Sequence, residues 1–330
     1  MHTTSDRVHV GIIFALDSAA ILFNIILIYA IITRLSSLLE VYVELIQKRT
    51  PPHMRAYSIL LLNNTFVDIS SAIASLLGVA RLTYLRDKSV QLYVFVGSCS
   101  LIGNRFCVLC HSVHSYLVCH SALILLHSFC FRLYLIRDNK VDIEPPTSKT
   151  TMLITILLYF PSLLMMTLYY ISVENAPDYL VQLLHFDGYA TAWNPNLLDI
   201  RFVIPLVYLC TLAPSAMVAI FFARRRLIRE IKKMESTRRV HHSSVAKALS
   251  YQLLLPAGQA IAGATWLLGV VGIWEDEIAE RAIMIVSSFF ALGSPLINLA
   301  FLPPYRRLFA RIERKLTTRV TSAATSTNGH

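Results

Sequence analysis

The sequence predicts an all-α membrane protein, a bundle of seven transmembrane helices with its N-terminus outside and its C-terminus in the cytoplasm. Seven apolar stretches follow one another, at Val10–Ile32, Ala56–Ala80, Phe106–Ile136, Met152–Val173, Phe202–Ala223, Ala248–Ile273 and Ala282–Leu302. A bilayer core about 30 Å thick takes ~20 residues of helix to cross. Of the 330 residues, 55% are hydrophobic and 15% charged, and the mean hydropathy is +0.56; a soluble domain carries about 25% charge. The connections also alternate in charge. With the N-terminus outside, the three inner connections and the tail hold 23 of the 30 Lys and Arg residues, and such residues near span ends favour the cytoplasmic side. The net charge of +10 is therefore a topological address, aided by attraction to anionic lipid, and not a footprint for nucleic acid. Two outer loops are acidic by contrast, with Glu174, Asp178, Asp187 and Asp199 in one and Glu275, Asp276, Glu277 and Glu280 in the other.

The first span is too long for the apolar core of a signal peptide and reads as a signal anchor. Asp17 and Asn24 lie within it. A charge in hydrocarbon costs at least ~2.5–3.5 kcal/mol, so each needs a partner or a function. Leu35–His53 is long for a first inner connection. Its Leu35, Leu38, Leu39, Tyr42, Leu45 and Ile46 recur at helical spacing, as in an interfacial helix; the alternative is sequence retained by an erroneous gene model. The second span ends its run Leu62-Asn63-Asn64-Thr65-Phe66-Val67 on Asp68. The sequon Asn63-Asn64-Thr65 lies inside the span, out of reach of glycosylation. Asn24, Asp68 and, in the seventh span, Asn298 are expected to share an inter-helix polar network, able to exchange partners when helices shift. Interior adhesion is the simpler role.

The third span interleaves His111, His114, His120 and His127 with Ser112, Ser115, Ser121 and Ser128. An intramembrane zinc hydrolase needs ligands converging from several helices and an open coordination position. No other span holds a histidine, so neither catalytic residues nor a metal or other cofactor is expected. The polar face suits a ligand or water cavity instead. His111, His114 and Ser115, nearer the outer end, are the ligand-binding candidates, together with Trp266 of the sixth span. At the inner end, Phe131-Arg132-Leu133-Tyr134 sets Arg132 where an opening cleft would offer it to a partner; a positive-inside anchor is the alternative. Of the six cysteines, Cys99, Cys107, Cys110, Cys119 and Cys130 cluster around this span and Cys210 lies in the fifth. They read as buried thiols acting as small apolar residues. A bridge from Cys99 to Cys107 or Cys110 is the alternative, if the top of the third span departs from regular helix.

Prolines punctuate the later spans. Besides Pro161, they supply the hinge candidates Pro205, Pro214, Pro256 and Pro295, since each removes a backbone hydrogen bond and permits a kink. Arg224–Lys247 carries charge at helical spacing and extends the flanking helices inward. After Pro303-Pro304-Tyr305, the segment Arg306–Leu316 reads as a short amphipathic helix at the interface. Residues 1–316 thus form one domain, and the Ser/Thr-rich 317–330 a disordered cytoplasmic tail. No internal repeat is visible, unlike many transporters.

These features in this order resemble G-protein-coupled receptors. More narrowly they are similar to nematode chemosensory serpentine receptors of the Str superfamily, most of all the delta class, Srd. The resemblance is carried by Met54-Arg55-Ala56-Tyr57 through Asn63, Gly97-Ser98-Cys99, His120-Ser121 through Tyr134, Lys247 through Pro256, and Ser294-Pro295-Leu296-Ile297-Asn298 through Arg306. It implies a non-enzymatic receptor that binds an external small molecule, odorant or pheromone-like, between the outer halves of spans three, five, six and seven. It implies activation of a heterotrimeric G protein, contacted by Arg132, Arg224, Arg225, Arg226 and Lys247. It also implies the plasma membrane, in sensory-neuron cilia. A seven-helix ligand-gated channel or transporter is the alternative. Three departures stand out. Phe131 occupies the place of the usual acidic neighbour of Arg132, and the long second outer loop has no cysteine to bridge to the third helix. Leu35–His53 looks inserted.

Overall fold

Long uninterrupted apolar runs satisfy their backbone groups internally as helices, which is the condition for crossing hydrocarbon. The computed structural model describes residues 4–44, 52–85, 90–138, 147–186, 188–233, 250–270, 273 and 277–301. Its helices are α1 (Thr4–Glu44), α2 (Pro52–Gly78), α3 (Asn104–Asp138), α4 (Ser148–Ser172), a short α5 (Asp178–Leu183), α6 (Ile200–Lys232), α7 (Leu254–Val270) and α8 (Glu277–Phe301). Among the described residues, six helices are long and apolar enough to cross a membrane. The 17-residue α7 is the seventh of the bundle. Helix α1 runs unbroken through Glu44, so the first part of Leu35–His53 continues the span instead of starting a separate interfacial helix. Residues 45–51, Lys247, the 306–316 helix and the 317–330 tail lie outside the described residues.

The bundle is apolar outside and polar within. Phe14, Leu22, Ile25, Phe66, Leu157, Phe160, Phe222 and Phe289 are exposed on its flanks, while Asp17, Asn24, Asp68, His114 and Asn298 are at most 1% exposed. Between spans, where lipid is as apolar as the partner helix, small residues let backbones approach. Ala20, Ala72 and Ala291 form such a contact among α1, α2 and α8.

A four-stranded antiparallel sheet closes one end, in the order β1 (Ala80–Leu85), β2 (Val90–Phe95), β4 (Ala190–Asn194), β3 (Glu174–Asn175). The sequence reading has only loops here. The β2 segment Val90-Gln91-Leu92-Tyr93-Val94-Phe95 is buried throughout. Its Tyr93 and Phe95 pack on the bundle core, and its Leu92 and Val94 pack under α5 with Leu180. A strand covered on both faces reads as a continuous apolar run, which periodicity alone does not separate from helix.

The sheet also reports the topology. Asp6 at the start of α1 meets Arg281 of α8 at 2.8 Å and Arg81 of β1 at 3.5 Å. Arg81 also meets Glu280 at 3.4 Å. Tyr189, next to β4, donates to Asp6 at 3.0 Å. The N-terminus and the segments joining α2 to α3, α4 to α6 and α7 to α8 thus share one end, as seven alternating crossings require.

Cys99 and Cys107 form a disulfide across eight residues, and Cys110, Cys119, Cys130 and Cys210 are free. The reading of all six as free thiols is corrected for this pair. Ser98–Leu101 is a 3-10 turn and Gly103 adopts φ +137°, so the chain reverses just before α3 and brings Cys99 over its first turn. Gly97 passes against the end of α2, where a Cβ would meet Leu77 O and lie 2.8 Å from both Gly78 C and Gly78 O. No side chain fits there.

Candidate functional site

Under the sheet, α3, α4, α6, α7 and α8 line a partly open cavity of about 110 Å³. All four ligand candidates read from the sequence line it: His111, His114, Ser115 and Trp266. Helical spacing puts the first three on one face of α3, since residues three and four apart are neighbours. Leu82 from β1 and Tyr169 from α4 line the cavity together with Gly263 of α7 and Cys210 of α6. Among the described lining residues none carries a charge.

The histidines are tied to hydroxyls on different helices. His111 Nε2 lies 3.2 Å from Tyr169 Oη, which donates to Tyr93 Oη at 2.7 Å. The three rings cluster, with His111 5.3 Å from Tyr93 and 6.0 Å from Tyr169 between centroids. His114 Nε2 lies 2.9 Å from Ser287 Oγ on α8, whose hydroxyl donates to Met284 O. His114 Nδ1 lies 3.1 Å from Ser71 Oγ on α2. Deeper in the bundle, His120 meets Ser162 at 3.1 Å and packs against the Tyr159 ring at 4.0 Å. These histidines diverge to separate helices and do not converge on one point.

Gln259, Tyr169, Ser287 and Cys119 also line the cavity and were missed. Gln259 was detectable as a polar side chain within the sixth span. Tyr169 and Ser287 look ordinary until the neighbours of α3 are known. Gln259 donates from Nε2 to Cys119 Sγ, and Cys119 donates to Leu209 O.

The inner half holds the second constellation. Asp68 is 1% exposed. It accepts from Ser121 of α3 at 3.0 Å and from Asn64, one turn back, at 2.8 Å. Asn64 also donates to Ser294 of α8 at 2.7 Å. Asn298 accepts from Gln252 at 2.8 Å, while Asn24 donates to Ala20 O and to Ala291 O of α8, at 2.9 and 3.2 Å. The expected single network of Asn24, Asp68 and Asn298 is corrected: the three do not bond to one another. Each crosses to a neighbouring helix separately, and the Asp68 carboxylate touches one amide, on its own helix, and the hydroxyls of Ser121 and Ser294. Asn64, Ser294, Asn298 and Gln252 line a smaller cavity between α2, α3, α7 and α8. Asp17, fully buried in α1, faces the hydroxyls of Ser75 on α2 and Ser288 on α8.

Arg132 is 7% exposed at the inner end of α3, so any contact with an outside partner requires the helices to part. Arg224 donates to Ser250 Oγ at 2.8 Å, linking α6 to the start of the sixth span. Arg225 lies over the Phe221 ring at 4.3 Å, and Arg225 and Arg226 are exposed. Pro205 and Pro214 sit inside α6 and Pro295 inside α8. Pro256 falls in the first turn of α7, just after a break at Leu253. A proline is tolerated there because the first N–H groups of a helix have no intrahelical acceptor.

A profile of the family described as serpentine type 7TM GPCR chemoreceptor Srd matches residues 11–311. Among curated proteins of Caenorhabditis elegans, the chain is 27% identical to serpentine receptor class delta-1 over 296 residues, 84% of this chain and 77% of that protein. It is 27% identical to class delta-3 over 279 residues, 79% of each. It is 25% identical to class delta-19 over 297 residues, 85% of this chain and 86% of that one.

Proposed function

Since this chain belongs to the Srd family of serpentine seven-transmembrane GPCR chemoreceptors, a family of multi-pass membrane proteins, we propose that it senses an external small molecule in the cavity beneath the outer sheet and activates a heterotrimeric G protein. The observation that carries this reading is the convergence of His111, His114, Ser115 and Trp266 on one partly open, uncharged space. Such a space, apolar with a few placed polar groups, is the usual form of a small-molecule site.

A ligand shifts the helix arrangement only by binding the active one more tightly than the resting one. The cavity touches α3, α6, α7 and α8, the helices whose inner ends carry Arg132, Arg224–Arg226 and the Asp68 constellation. Movement at the prolines of α6 and α8 and at the Leu253–Pro256 break transmits the shift. Arg132 then leaves its buried position and, with Arg224, Arg225, Arg226 and Lys247, meets the G protein. The receptor works at the plasma membrane of sensory neurons, in their cilia.

The test is expression of the full chain with a promiscuous G-protein reporter, screened against volatile and water-soluble odorants. Saturable activation that is lost on Ser115→Phe at equal surface expression is the expected result. Agonist-evoked current that persists without G protein would overturn the reading in favour of a channel.

A further inference from the structure

Along α6 the residues that the bundle leaves exposed follow one another at steps of three and four. Val207, Thr211, Ser215, Val218 and Phe222 make up the upper part of this stripe. Such steps keep side chains on one face of a helix. The opposite face is buried, where Ile220, Leu227 and Ile231 pack on Leu125 and Phe129 of α3. The stripe therefore looks away from the bundle. Its upper part suits hydrocarbon. Val207, Val218 and Phe222 are apolar, and the hydroxyls of Thr211 and Ser215 donate one turn back, to Val207 O at 2.7 Å and Thr211 O at 2.6 Å.

Below Phe222 the same stripe turns basic. Its exposed residues become Arg225, Arg226, Arg229, Lys232 and Lys233. Basic residues that only set topology need to lie on the inner side of the membrane, with no face in common. These five continue the face that carries the lipid-exposed side chains. The Arg225 guanidinium lies over the Phe221 ring at 4.3 Å, and Arg229 donates to Arg225 O at 3.4 Å. Glu230 is the one acid in this stretch of sequence, and Lys233 meets it at 3.0 Å.

Depth narrows the partner. The headgroup layer on each side of a bilayer is about 5–8 Å deep. A helix rises about 1.5 Å per residue, so Arg225 to Arg229 covers ~6 Å of that depth. Lys232 and Lys233 lie about a turn further in. A singly charged headgroup sits at the level of the arginines alone. A headgroup that projects from the bilayer and carries several phosphates reaches all five, and guanidinium groups bind phosphate oxygens in pairs.

We propose that the inward extension of α6 is a site for a polyphosphorylated lipid of the inner leaflet, with acyl chains along Val218 and Phe222 and the headgroup on Arg225, Arg226, Arg229, Lys232 and Lys233. Arg225 and Arg226, proposed above to meet the G protein, face lipid in this arrangement. The site depends on the bundle and its topology, and not on the outer cavity.

The test is titration of the purified full-length receptor with phosphatidylinositol bisphosphate, phosphatidylserine and phosphatidylcholine, with bound lipid counted by native mass spectrometry. We expect the bisphosphate lipid to bind saturably and at least about tenfold more tightly than phosphatidylserine. This preference is measured in the wild-type chain, so it does not depend on a variant folding. Arg226→Gln should weaken binding of the bisphosphate lipid about fivefold. Lys149→Gln, which removes an equal exposed charge at the inner end of α4, should leave that binding unchanged. Equal binding of the two anionic lipids overturns the proposal. So does a loss on Lys149→Gln as large as that on Arg226→Gln, which would make the attraction diffuse. Soluble inositol trisphosphate competing as well as the lipid also overturns it, since the acyl chains would then play no part.

Discussion

Arg281 Nη2 donates to Asp6 Oδ1 at 2.8 Å, joining the last helix to the first across 275 residues of sequence. Both side chains are under 8% exposed. The pair closes the bundle as a ring at its outer end, where β1 also attaches through Arg81. Removing one member of a buried ion pair strands the other, at about 3–5 kcal/mol. Asp6→Leu should therefore lower the unfolding temperature of the detergent-solubilised receptor markedly. Asp6→Leu combined with Arg281→Met should be more stable than Asp6→Leu alone. A double variant no better than the single one would show that the pair does not act as a unit.

The Cys99–Cys107 bridge closes a loop eight residues apart. On the chain-entropy argument such a loop contributes about 2–3 kcal/mol. Cys99→Ser, Cys107→Ser and the double variant should be equally destabilised, since each breaks the same bond. Mild reductant should lower the unfolding temperature of the wild type and leave all three variants unaffected.

Gly97 is held against the Leu77 and Gly78 backbone, where a methyl group has no room. Gly97→Ala should cost about 1–3 kcal/mol by overpacking and loosen the sheet from α2. Hydrogen exchange should show faster amides in Val90–Phe95, with the inner half of α3 unchanged. Uniformly unchanged exchange would contradict the close approach.

Asp68 links α2 to α3 through Ser121, and Asn64 carries the link to α8. If these bonds exchange when the receptor activates, Asp68→Asn should reach the surface at near-normal levels yet need about tenfold more agonist. Unchanged signalling at equal expression would reduce Asp68 to interior adhesion.

Asp199 caps α6, accepting from the Arg201 backbone at 2.8 Å, and it also bonds the Arg201 guanidinium at 2.7 Å. The Arg201 side chain holds the Asp199 carboxyl below its usual pKa. A group whose pKa is depressed by folding stabilises above its unfolded pKa and loses that contribution as pH falls through the folded value. Protection of the first α6 amides should therefore be flat near neutrality and fall only below the ordinary carboxylate range. Asp199→Ala should show reduced protection there near neutrality, and its difference from the wild type should shrink as the pH falls.

Much of the fold was readable in one dimension. Val10–Ile32, Phe106–Ile136 and Phe202–Ala223 lie wholly within described helices, Met152–Val173 ends one residue past α4, helix is described through Phe301 for Ala282–Leu302, and Ala56–Ala80 passes from α2 into β1. For the sixth, helix is described over Leu254–Val270. His111, His114, Ser115 and Trp266 were found as polar or aromatic residues near one end of their spans, because a bilayer makes each such residue conspicuous. Gln259 carried the same signal, but a lone amide does not announce which helix it faces. The β2 strand was hidden because its two faces are both covered, which erases the alternation that marks a strand. The disulfide hung on whether α3 began before or after Gly103, a boundary that hydropathy does not locate.

The number of crossings, their direction and the choice of polar residues to bury follow from the sequence alone. Each is a transfer free energy, charged against one residue or one run, and it needs no knowledge of neighbours. Which partner each polar group meets was decided only by the tertiary structure. Asn24 bonds to the Ala291 backbone and not to Asp68, and Asn298 to Gln252, because the rotation of each helix about its axis is set by the packing of all its neighbours together. A bond made or missed over an ångström depends on that sum, which no single run of residues contains.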